Sequence, residues 1–444
     1  MAGAYFMEIL DATVIAPAAP HIARDLGVPA VAVNVAITAY VLTLAVLIPI
    51  SGWLTERYGA RLIFTAAIAV FTIASAGCAL APTLPALIAT RVLQGAGGAM
   101  MVPVGRLVVI RTTAKTDLVR AIAYLTWPAL VAPLVAPALG GVLSTYASWR
   151  WIFVINLPLG VVALPLARRL VPDVRSDRPV RLDVRGFLMA AAGIAALVFG
   201  LEGIAGPHPD WPVAIGALVT AGVLLTVTIR YLLRAARPLL DLRVLRVHTF
   251  RVTAFGGSLF RAVITAIPFL LPLFFQLGFG WTAAEAGIVV IALFAGNIGI
   301  KPVTTPLMRR FGMRPVMLAA VLSSAACLIG IAFLTATTPL PLMLALLTLS
   351  GVFRSVGFTT YNSVAFADVP ADRMTSANTL MSTVQELGGG LGVAIGALLV
   401  RLGTTLNLDA FRFAFLALAA LLAAPVIEAF RLPRTAGNVV AGRG

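Results

Sequence analysis

Long apolar runs alternate with short charged segments along the whole chain. A helix needs about 20 apolar residues to cross a bilayer, and fourteen runs approach or exceed that length. The pattern therefore predicts an all-α integral membrane protein with fourteen spanning helices. The predicted spans are 3–20, 33–54, 62–81, 84–111, 119–145, 150–170, 184–204, 211–233, 250–276, 284–308, 314–334, 340–364, 374–400 and 408–430.

The basic residues between these runs predict the orientation of the chain. When the N-terminus is placed inside and the spans alternate, 24 of the 33 Lys and Arg residues fall on the inner side. Loops that stay in the cytoplasm carry an excess of Lys and Arg. The sequence thus predicts a multi-pass protein of the bacterial cytoplasmic (inner) membrane, with both termini in the cytoplasm.

The composition agrees with a lipid environment and narrows the functional classes. The chain is 60% hydrophobic and 11% charged, with a mean hydropathy of +1.00, which is more apolar surface than a soluble protein of this size buries. A net charge of +16 favours nucleic-acid binding in a soluble protein. Here the basic loops account for it, so we expect no nucleic-acid partner. No cluster of His, Cys and carboxylate lies at membrane depth, and we expect no metal, no cofactor and no enzymatic activity.

A short charged turn occurs twice in the chain, at 52–61 and at 305–314. Leucine, arginine, glycine and arginine recur at matching places, and the pairs are Leu54/Leu307, Arg57/Arg310, Gly59/Gly312 and Arg61/Arg314. A duplicated turn inside an apolar chain indicates two related halves, an arrangement that is common among transporters.

Two long basic segments, 168–185 and 230–251, bracket the seventh and eighth spans. Without that pair, six spans precede and six follow, and the repeated turn falls between the second and third span of each half. The sequence predicts two pseudo-symmetric six-helix bundles with two inserted central helices. The predicted division is an N-terminal bundle at 1–170, a cytoplasmic loop at 171–183, two inserted helices at 184–235, a cytoplasmic linker at 236–249, a C-terminal bundle at 250–432 and a cytoplasmic tail at 433–444.

Five motifs follow one another along these spans. They are Leu10-Asp11-Ala12-Thr13, the turn 52–61, Arg91-Val92-Leu93-Gln94-Gly95-Ala96-Gly97, the proline- and glycine-containing stretch 132–141, and the stretch 149–158. Because these motifs occur in this order, the chain resembles the major facilitator superfamily. More narrowly, it resembles the fourteen-helix drug–proton antiporters of the quaternary ammonium and multidrug exporter type. The resemblance implies the major facilitator fold and proton-coupled antiport.

Four ionisable residues are the candidates for proton coupling: Asp11, Glu8, Arg91 and Glu386. A charge in hydrocarbon is costly, so an intramembrane carboxylate indicates either a functional site or a fixed partner. Asp11 and Glu8 lie three residues apart on one face of the first span. Arg91 could form a structural pair with Asp11 or control its protonation in one conformation. Glu386 could take up a proton in the second half or pair with Arg261 or Arg354.

Basic residues at membrane depth outnumber the acidic ones. The basic set is Arg91, Arg261, Arg354, Arg106 and Lys301. We expect the last two, which lie nearer the inner face, to extend to the membrane surface. We also expect Glu202, at the end of the seventh span, to be solvated. The surplus of cations makes an anionic, zwitterionic or neutral amphipathic substrate at least as plausible as a cation.

Polar and aromatic residues of several spans are the candidate lining of a central substrate cavity. They are Asn34, Tyr40, Gln94, Trp127, Phe260, Arg261, Gln276, Asn297, Arg354, Tyr361 and Asn362. Three of them, Phe260, Tyr40 and Tyr361, could equally face lipid or the protein core.

The charged turns are candidate gates, although their arginines could serve topology alone. Glu56 and the arginines can pair with one another and with helix ends of the opposite half, so we expect a latch at the cytoplasmic side. The latch candidates are Gly52, Glu56, Arg57, Gly59, Arg61, Arg310, Gly312 and Arg314. The resemblance further implies an antiporter helix in the fifth span, where Pro133, Pro137, Gly140 and Gly141 belong to a pliable seam between the halves.

Together these features predict a proton-coupled antiporter that exports hydrophobic or amphipathic small molecules, such as drugs or antibiotics, by alternating access. The expected partners are the substrate, protons and the lipid bilayer, and we expect a monomer. A dedicated exporter of one metabolite, lipid or antibiotic is the alternative with the same fold. A non-transporting membrane sensor and a membrane enzyme are two further alternatives.

Overall fold

The computed structural model describes residues 1–28, 30–114, 117–174, 181–205, 210–236, 238–433 and 436. This part of the chain is helical and contains no β-strand, so the predicted all-α fold class is confirmed. The helices are α1 (Ala2–Asp25), α2 (Ala30–Leu47), α3 (Ser51–Tyr58), α4 (Ala60–Leu80), α5 (Leu84–Thr112), α6 (Leu118–Tyr146), α7 (Trp151–Val154), α8 (Asn156–Leu170), α9 (Val184–Ala205), α10 (Trp211–Arg234), α11 (His248–Leu273), α12 (Ala283–Gly299), α13 (Lys301–Phe311), α14 (Met313–Ala332), α15 (Leu340–Ala365), α16 (Met374–Thr405), α17 (Ala410–Leu421) and α18 (Ala423–Phe430).

Several predicted spans are divided into two helices. A 3₁₀ turn at Ile48–Ile50 joins α2 to α3, α7 continues into α8, and α17 continues into α18. The axis bends by 50° between α12 and α13, where Pro302 occupies the first turn of α13. Within the described residues, eleven helical stretches are long and apolar enough to cross a membrane, or twelve if the bent pair is one span. The count of fourteen stays a prediction.

The two halves repeat the same helix contacts. In the N-terminal half α1 packs on α6, α4 on α5, α2 on α5, and α4 on α8. In the C-terminal half the corresponding pairs are α11 with α16, α14 with α15, α12 with α15, and α14 with α17. The repeated turn is also the same, because Gly59 and Gly312 end their helices with φ angles of 89° and 87°, which favour glycine.

The halves meet along two seams, and the inserted pair lies beside one of them. Helix α6 contacts α12, α13 and α15 of the opposite half, while α16 contacts α5 and α3. Helix α9 packs on α2 of one half and α16 of the other, and α10 packs on α9. The site described next includes one cluster inside the N-terminal half and a second cluster where helices of the two halves meet.

Candidate functional site

A buried cluster inside the N-terminal half, which we call the Asp11 cluster, is centred on the Asp11 carboxylate. Its side chain is fully buried and forms an ion pair with Arg91 of α5. Gln94 donates to Asp11 Oδ1 at 2.8 Å, and Asn156 of α8 donates to the same oxygen at 2.9 Å. Gln94 also donates to Ser75 of α4 at 2.8 Å. Four helices therefore meet at one carboxylate whose charge is compensated by a cation and two amides.

The Arg91 guanidinium is enclosed on its faces by aromatic rings. Its central carbon lies 4.1 Å from the centroid of the Tyr40 ring and 5.9 Å from that of Phe153, within the range of cation–π attraction. Arg91 and Tyr40 are at most 1% exposed. Tyr40 therefore lies in the core of the N-terminal half, where it covers the arginine.

Glu8 lies one helical turn before Asp11 and has a different environment. It is buried, and its Oε2 atom has no hydrogen-bond partner among the described residues. Glu386 of α16 is close enough to act on Glu8 electrostatically, and Arg261 of α11 acts in turn on Glu386. A carboxyl group of the C-terminal half therefore acts on a carboxyl group of the N-terminal half.

Arg106 joins the halves at a second cluster, the Arg106 cluster. The residue is 6% exposed and donates to Asn378 Oδ1 at 2.8 Å and to Gln385 Oε1 at 2.8 Å. It also donates to Asn362 Oδ1 at 3.4 Å and to the Ser382 hydroxyl. A single guanidinium of α5 thus binds neutral acceptors on α15 and α16 of the opposite half.

Three expectations about charged residues are wrong. Arg106 does not extend to the membrane surface, because α15 and α16 offer it buried acceptors. Lys301 is also 6% exposed and donates to Thr359 at 2.7 Å. Glu202 is half-buried and accepts a hydrogen bond from Thr38 of α2, because α9 packs on that helix.

The first charged turn contacts the opposite half at its beginning. A methyl group added at Gly52 would lie 2.3 Å from Thr379 Oγ1, so only glycine permits this approach to α16. Glu56 forms an ion pair with Arg111 at 3.7 Å, and Arg111 donates to Thr375 of α16. Gly52 and, through Arg111, Glu56 therefore link α3 to the opposite half.

The arginines that follow bind within their own half. Arg61 donates to the Val171 carbonyl at 2.7 Å, and Arg314 donates to the Phe430 carbonyl at 2.8 Å. Each repeated turn is thus tied to the end of the last span of its own bundle. Arg57 and Arg310 are exposed, and the Arg310 guanidinium lies over the neighbouring Phe311 ring.

The candidates for a substrate cavity are spread over several environments. Gln94 and Asn362 belong to the two clusters, while Phe260 and Tyr361 pack on each other in the C-terminal half with ring centroids 5.4 Å apart. Gln276 lies in a π-helical turn at the end of α11, and Trp127 is 46% exposed on α6. The others are Asn297, with a buried carbonyl oxygen, Arg261 and Arg354. The side chain of Asn34 lies outside the described residues.

Helix α6 packs its small residues on the first helix of its own half. A methyl group at Gly140 would lie 2.5 Å from the Val14 carbonyl oxygen, and Ala132 and Ala136 are fully buried. Pro133 is partly buried. Pro137 and Gly141 lie outside the residues whose side-chain environment is described. The seam implied for α6 therefore includes a tight contact within one half.

Several residues of these clusters were not identified from the sequence. Asn156 lies inside the motif at 149–158, so its position was a usable signal. Asn378 and Ser382 gave no such signal, because neutral residues on a long helix give no sign of a partner more than 270 positions away.

The chain matches the model of the Major Facilitator Superfamily over residues 1–393 and 253–439. Two bacterial relatives, both provisionally named multidrug resistance protein MdtD, are similar over nearly their whole length. The protein of Klebsiella pneumoniae subsp. pneumoniae is 38% identical over 447 residues, which cover 98% of this chain and 94% of the relative. The protein of Escherichia coli O6:H1 is 37% identical over 458 residues, with coverage of 99% and 95%.

Two solved structures share the fold. The human organic anion transporter MFSD10 (TETRAN) superposes with a TM-score of 0.68 at 13% identity, covering 96% of this chain and 97% of that one. The proton:xylose symporter XylE, bound to 6-bromo-6-deoxy-D-glucose, gives a TM-score of 0.67 at 15% identity, with coverage of 98% and 95%. At these identities the likeness concerns the fold alone.

Proposed function

The chain belongs to the major facilitator superfamily, and on that premise we propose that it is a proton-coupled exporter of hydrophobic or amphipathic small molecules working by alternating access. The multidrug resistance proteins among its relatives support export of this class. The distribution of basic loops supports an inner membrane orientation with both termini and the charged turns in the cytoplasm. We further propose a monomer of two six-helix bundles, divided as the sequence predicts.

The proton is carried by Glu8 together with Glu386. Glu8 has a buried oxygen without a hydrogen-bond partner among the described residues, and Glu386 acts on it from the opposite half. Two ionised carboxyl groups near each other and partly removed from solvent are unfavourable, so binding a proton or a substrate stabilises them. The two ligands therefore compete, and inward proton movement drives export.

Asp11 has a supporting role in this scheme. Arg91, Gln94 and Asn156 already satisfy its carboxylate, so in this conformation it holds α1 in the register that presents Glu8. Rearrangement of the bundle in the other conformation releases Asp11 from these donors. Asp11 then becomes a second group that exchanges a proton.

The cytoplasmic gate is formed by Arg106, Arg111 and Gly52. Their contacts to α15 and α16 hold the two halves together at the end that carries the charged turns. The conformation is therefore one in which the cytoplasmic side is closed. Opening this side requires all of these contacts to break.

The buried Glu8 oxygen without a hydrogen-bond partner among the described residues carries the proposal, and dye-monitored proton flux tests it. Inverted membrane vesicles are acidified inside, and chemically unrelated cationic, zwitterionic and anionic compounds are added in turn. A transported compound collapses the pH gradient. We expect collapse by two or more unrelated compounds, and at least a tenfold lower rate for Glu8→Gln.

Glu428→Gln is the matched control, because Glu428 pairs with Arg431 at 3.1 Å near the predicted cytoplasmic end. This variant should transport as the wild type does. A wild-type rate in Glu8→Gln would contradict the coupling role. Failure of every compound to collapse the gradient would contradict antiport itself.

One observation favours a second candidate function, a dedicated exporter of a compound with an anionic group. Arg261 and Arg354 act on each other electrostatically in the C-terminal half, and Arg354 Nη1 is buried without a partner among the described residues. A carboxylate or phosphate of a substrate would compensate these charges. Gradient collapse by a single anionic class would support this candidate over broad specificity.

A further inference from the structure

A groove of about 400 Å³ lies between α6 and α13, where the two halves meet near the charged turns. We call it the α6–α13 groove. Three basic residues line it, Arg120 from α6 and Lys301 and Arg309 from α13. Its other walls are aromatic or proline-rich, with Tyr124, Trp127, Pro302 and Pro306. The cations therefore come from both halves and border one apolar space.

In the described part of the chain, the groove has more positive than negative side chains. Arg309 forms an ion pair with Asp117 at 3.7 Å, and both side chains are about half exposed. Lys301 is buried and donates to the neutral Thr359 hydroxyl, and Arg120 lies over the Tyr124 ring. Among the described residues, one carboxylate thus faces three cations in this groove, which favours binding of an anion.

The aromatic walls of the groove are exposed. Tyr124 is 60% and Trp127 is 46% exposed, although both lie on a helix of a membrane protein. Tyr and Trp are favoured at the membrane–water interface, where the ring contacts acyl chains and the polar atom contacts headgroups. A ligand that fits the groove therefore has a negatively charged head and an apolar tail.

We propose that the α6–α13 groove binds an anionic phospholipid from the leaflet on the side of the charged turns. The phosphate lies among Arg120, Lys301 and Arg309, and one acyl chain lies along Tyr124 and Trp127. Basic pockets between membrane helices recognise anionic headgroups in this way. Because the cations belong to both halves, the bound lipid stabilises the arrangement in which α6 and α13 are adjacent, and its binding does not depend on any export substrate.

Native mass spectrometry of the purified full-length protein in detergent tests this proposal. The protein is titrated with phosphatidylglycerol and separately with zwitterionic phosphatidylcholine of the same chain length. We expect tighter binding of phosphatidylglycerol, and about fivefold weaker binding in Arg120→Gln, since one basic group near a lipid surface contributes about 1 kcal/mol. Lys301→Gln should weaken binding at least as much.

Arg230→Gln is the control, because Arg230 is an exposed arginine at the end of α10, outside the groove. It should bind phosphatidylglycerol as the wild type does. Arg120 is exposed, so its variant remains informative if the buried Lys301 variant fails to fold. Equal binding of the two lipids, or unchanged binding in Arg120→Gln, would overturn the proposal.

Two competition experiments distinguish other occupants. Displacement of phosphatidylglycerol by millimolar inorganic phosphate would overturn the proposal in favour of a soluble anion. Competitive displacement by a transported compound would overturn it in favour of a substrate entry site. Retention of the lipid in both experiments supports it, whatever the outcome of the transport assays.

Discussion

Asp11 and Glu8 are carboxyl groups one helical turn apart, yet their surroundings differ. Asp11 accepts from a cation and two amides, whereas Glu8 has an unpartnered oxygen and a carboxyl neighbour on the opposite half. Removing the Asp11 charge would leave the buried Arg91 guanidinium uncompensated, which is unfavourable inside a protein. At the residue scale, the two acids thus differ in this conformation, since the charge of Asp11 is compensated and Glu8 has an unpartnered oxygen.

Replacing Asp11 should destabilise the protein as well as impair transport. Asp11→Asn leaves Arg91 buried with a neutral partner, and breaking a buried pair costs about 3–5 kcal/mol. We expect a clearly lower thermal midpoint in detergent together with loss of proton-coupled transport. Both are measured on the same purified sample.

The double variant Asp11→Asn/Arg91→Gln separates these effects. Removing both charges eliminates the uncompensated cation, so the thermal midpoint should recover in part while transport stays low. If the single variant has the wild-type midpoint, the Asp11 cluster does not hold the N-terminal half together in the way we describe.

Glu8 and Glu386 should behave as a coupled pair. If one proton is shared between them, Glu8→Gln and Glu386→Gln should each abolish proton release on substrate binding, and the double variant should be no worse than either single one. Proton release from detergent-solubilised protein is followed with a pH-sensitive dye. Strictly additive losses would indicate two independent proton sites.

The sequence could predict some of these neighbours and not others. A carboxylate and an arginine in two apolar spans have few possible partners, so Asp11 and Arg91 could be paired from the sequence. The position of Arg106 near a span end fits both extension to the surface and burial. Only the three-dimensional approach of α16, with its amide and hydroxyl groups, decides between them.

At the scale of helices, both halves use glycine where two backbones approach closely. A methyl group at Gly140 would lie 2.5 Å from the Val14 carbonyl oxygen in the α1–α6 pair, and one at Gly392 would lie 2.0 Å from the Ala262 carbonyl oxygen in the α11–α16 pair. Small residues at such contacts let membrane helices pack tightly. The same solution therefore occurs in the corresponding helix pairs of the two halves.

Two glycines of α16 allow a matched test of this packing. Gly392→Ala places a methyl group against the Ala262 carbonyl and should lower the thermal midpoint. Gly389→Ala, three residues earlier, meets nothing within 4 Å and should leave the midpoint unchanged or raise it, since alanine is favoured over glycine in a helix by about 0.5–1 kcal/mol. Equal effects of both variants would show that the close contact is not limiting.

The apolar runs predicted the positions of the helices well, but they did not predict where helices are interrupted. The predicted spans 84–111 and 211–233 differ by one residue at an end from α5 and α10, because loops of a membrane protein are marked by charge. The bend between α12 and α13 and the π-helical turn after α11 depend on backbone hydrogen bonds and neighbouring helices. Hydropathy carries no information about either.

At the scale of the whole molecule, contacts between the halves concentrate at the end with the charged turns. Arg106 and Arg111 of α5 reach α16, Gly52 packs on Thr379, and Arg309 pairs with Asp117 across the other seam. Hydrogen bonds to charged groups each contribute about 1.5–3 kcal/mol in proteins. Their loss should therefore shift the balance between conformations.

Arg106→Gln should open the end of the molecule that carries the charged turns. Spin labels at Tyr58 and Asp372, which are exposed on opposite halves, report the distance across this end, and labels at Pro82 and Ala336 report the opposite end. We expect a longer distance for the first pair and a shorter one for the second, measured by pulsed electron resonance. The two native cysteines are buried.

Arg230→Gln serves as the reference, because this exposed residue lies on α10. It should leave both distance distributions unchanged. If Arg106→Gln also leaves them unchanged, the Arg106 cluster is packing within a rigid seam and does not control access.

Helix α9 has a consequence for how the bundles move. It packs simultaneously on α2 of one half and α16 of the other, with Ile194 and Val198 in a small apolar cluster beside Ala45. A movement that separated α2 from α16 would expose apolar surface on one side of α9. The rotation of the bundles that costs least free energy keeps α2, α9 and α16 in contact. The rotation axis therefore lies beside α9.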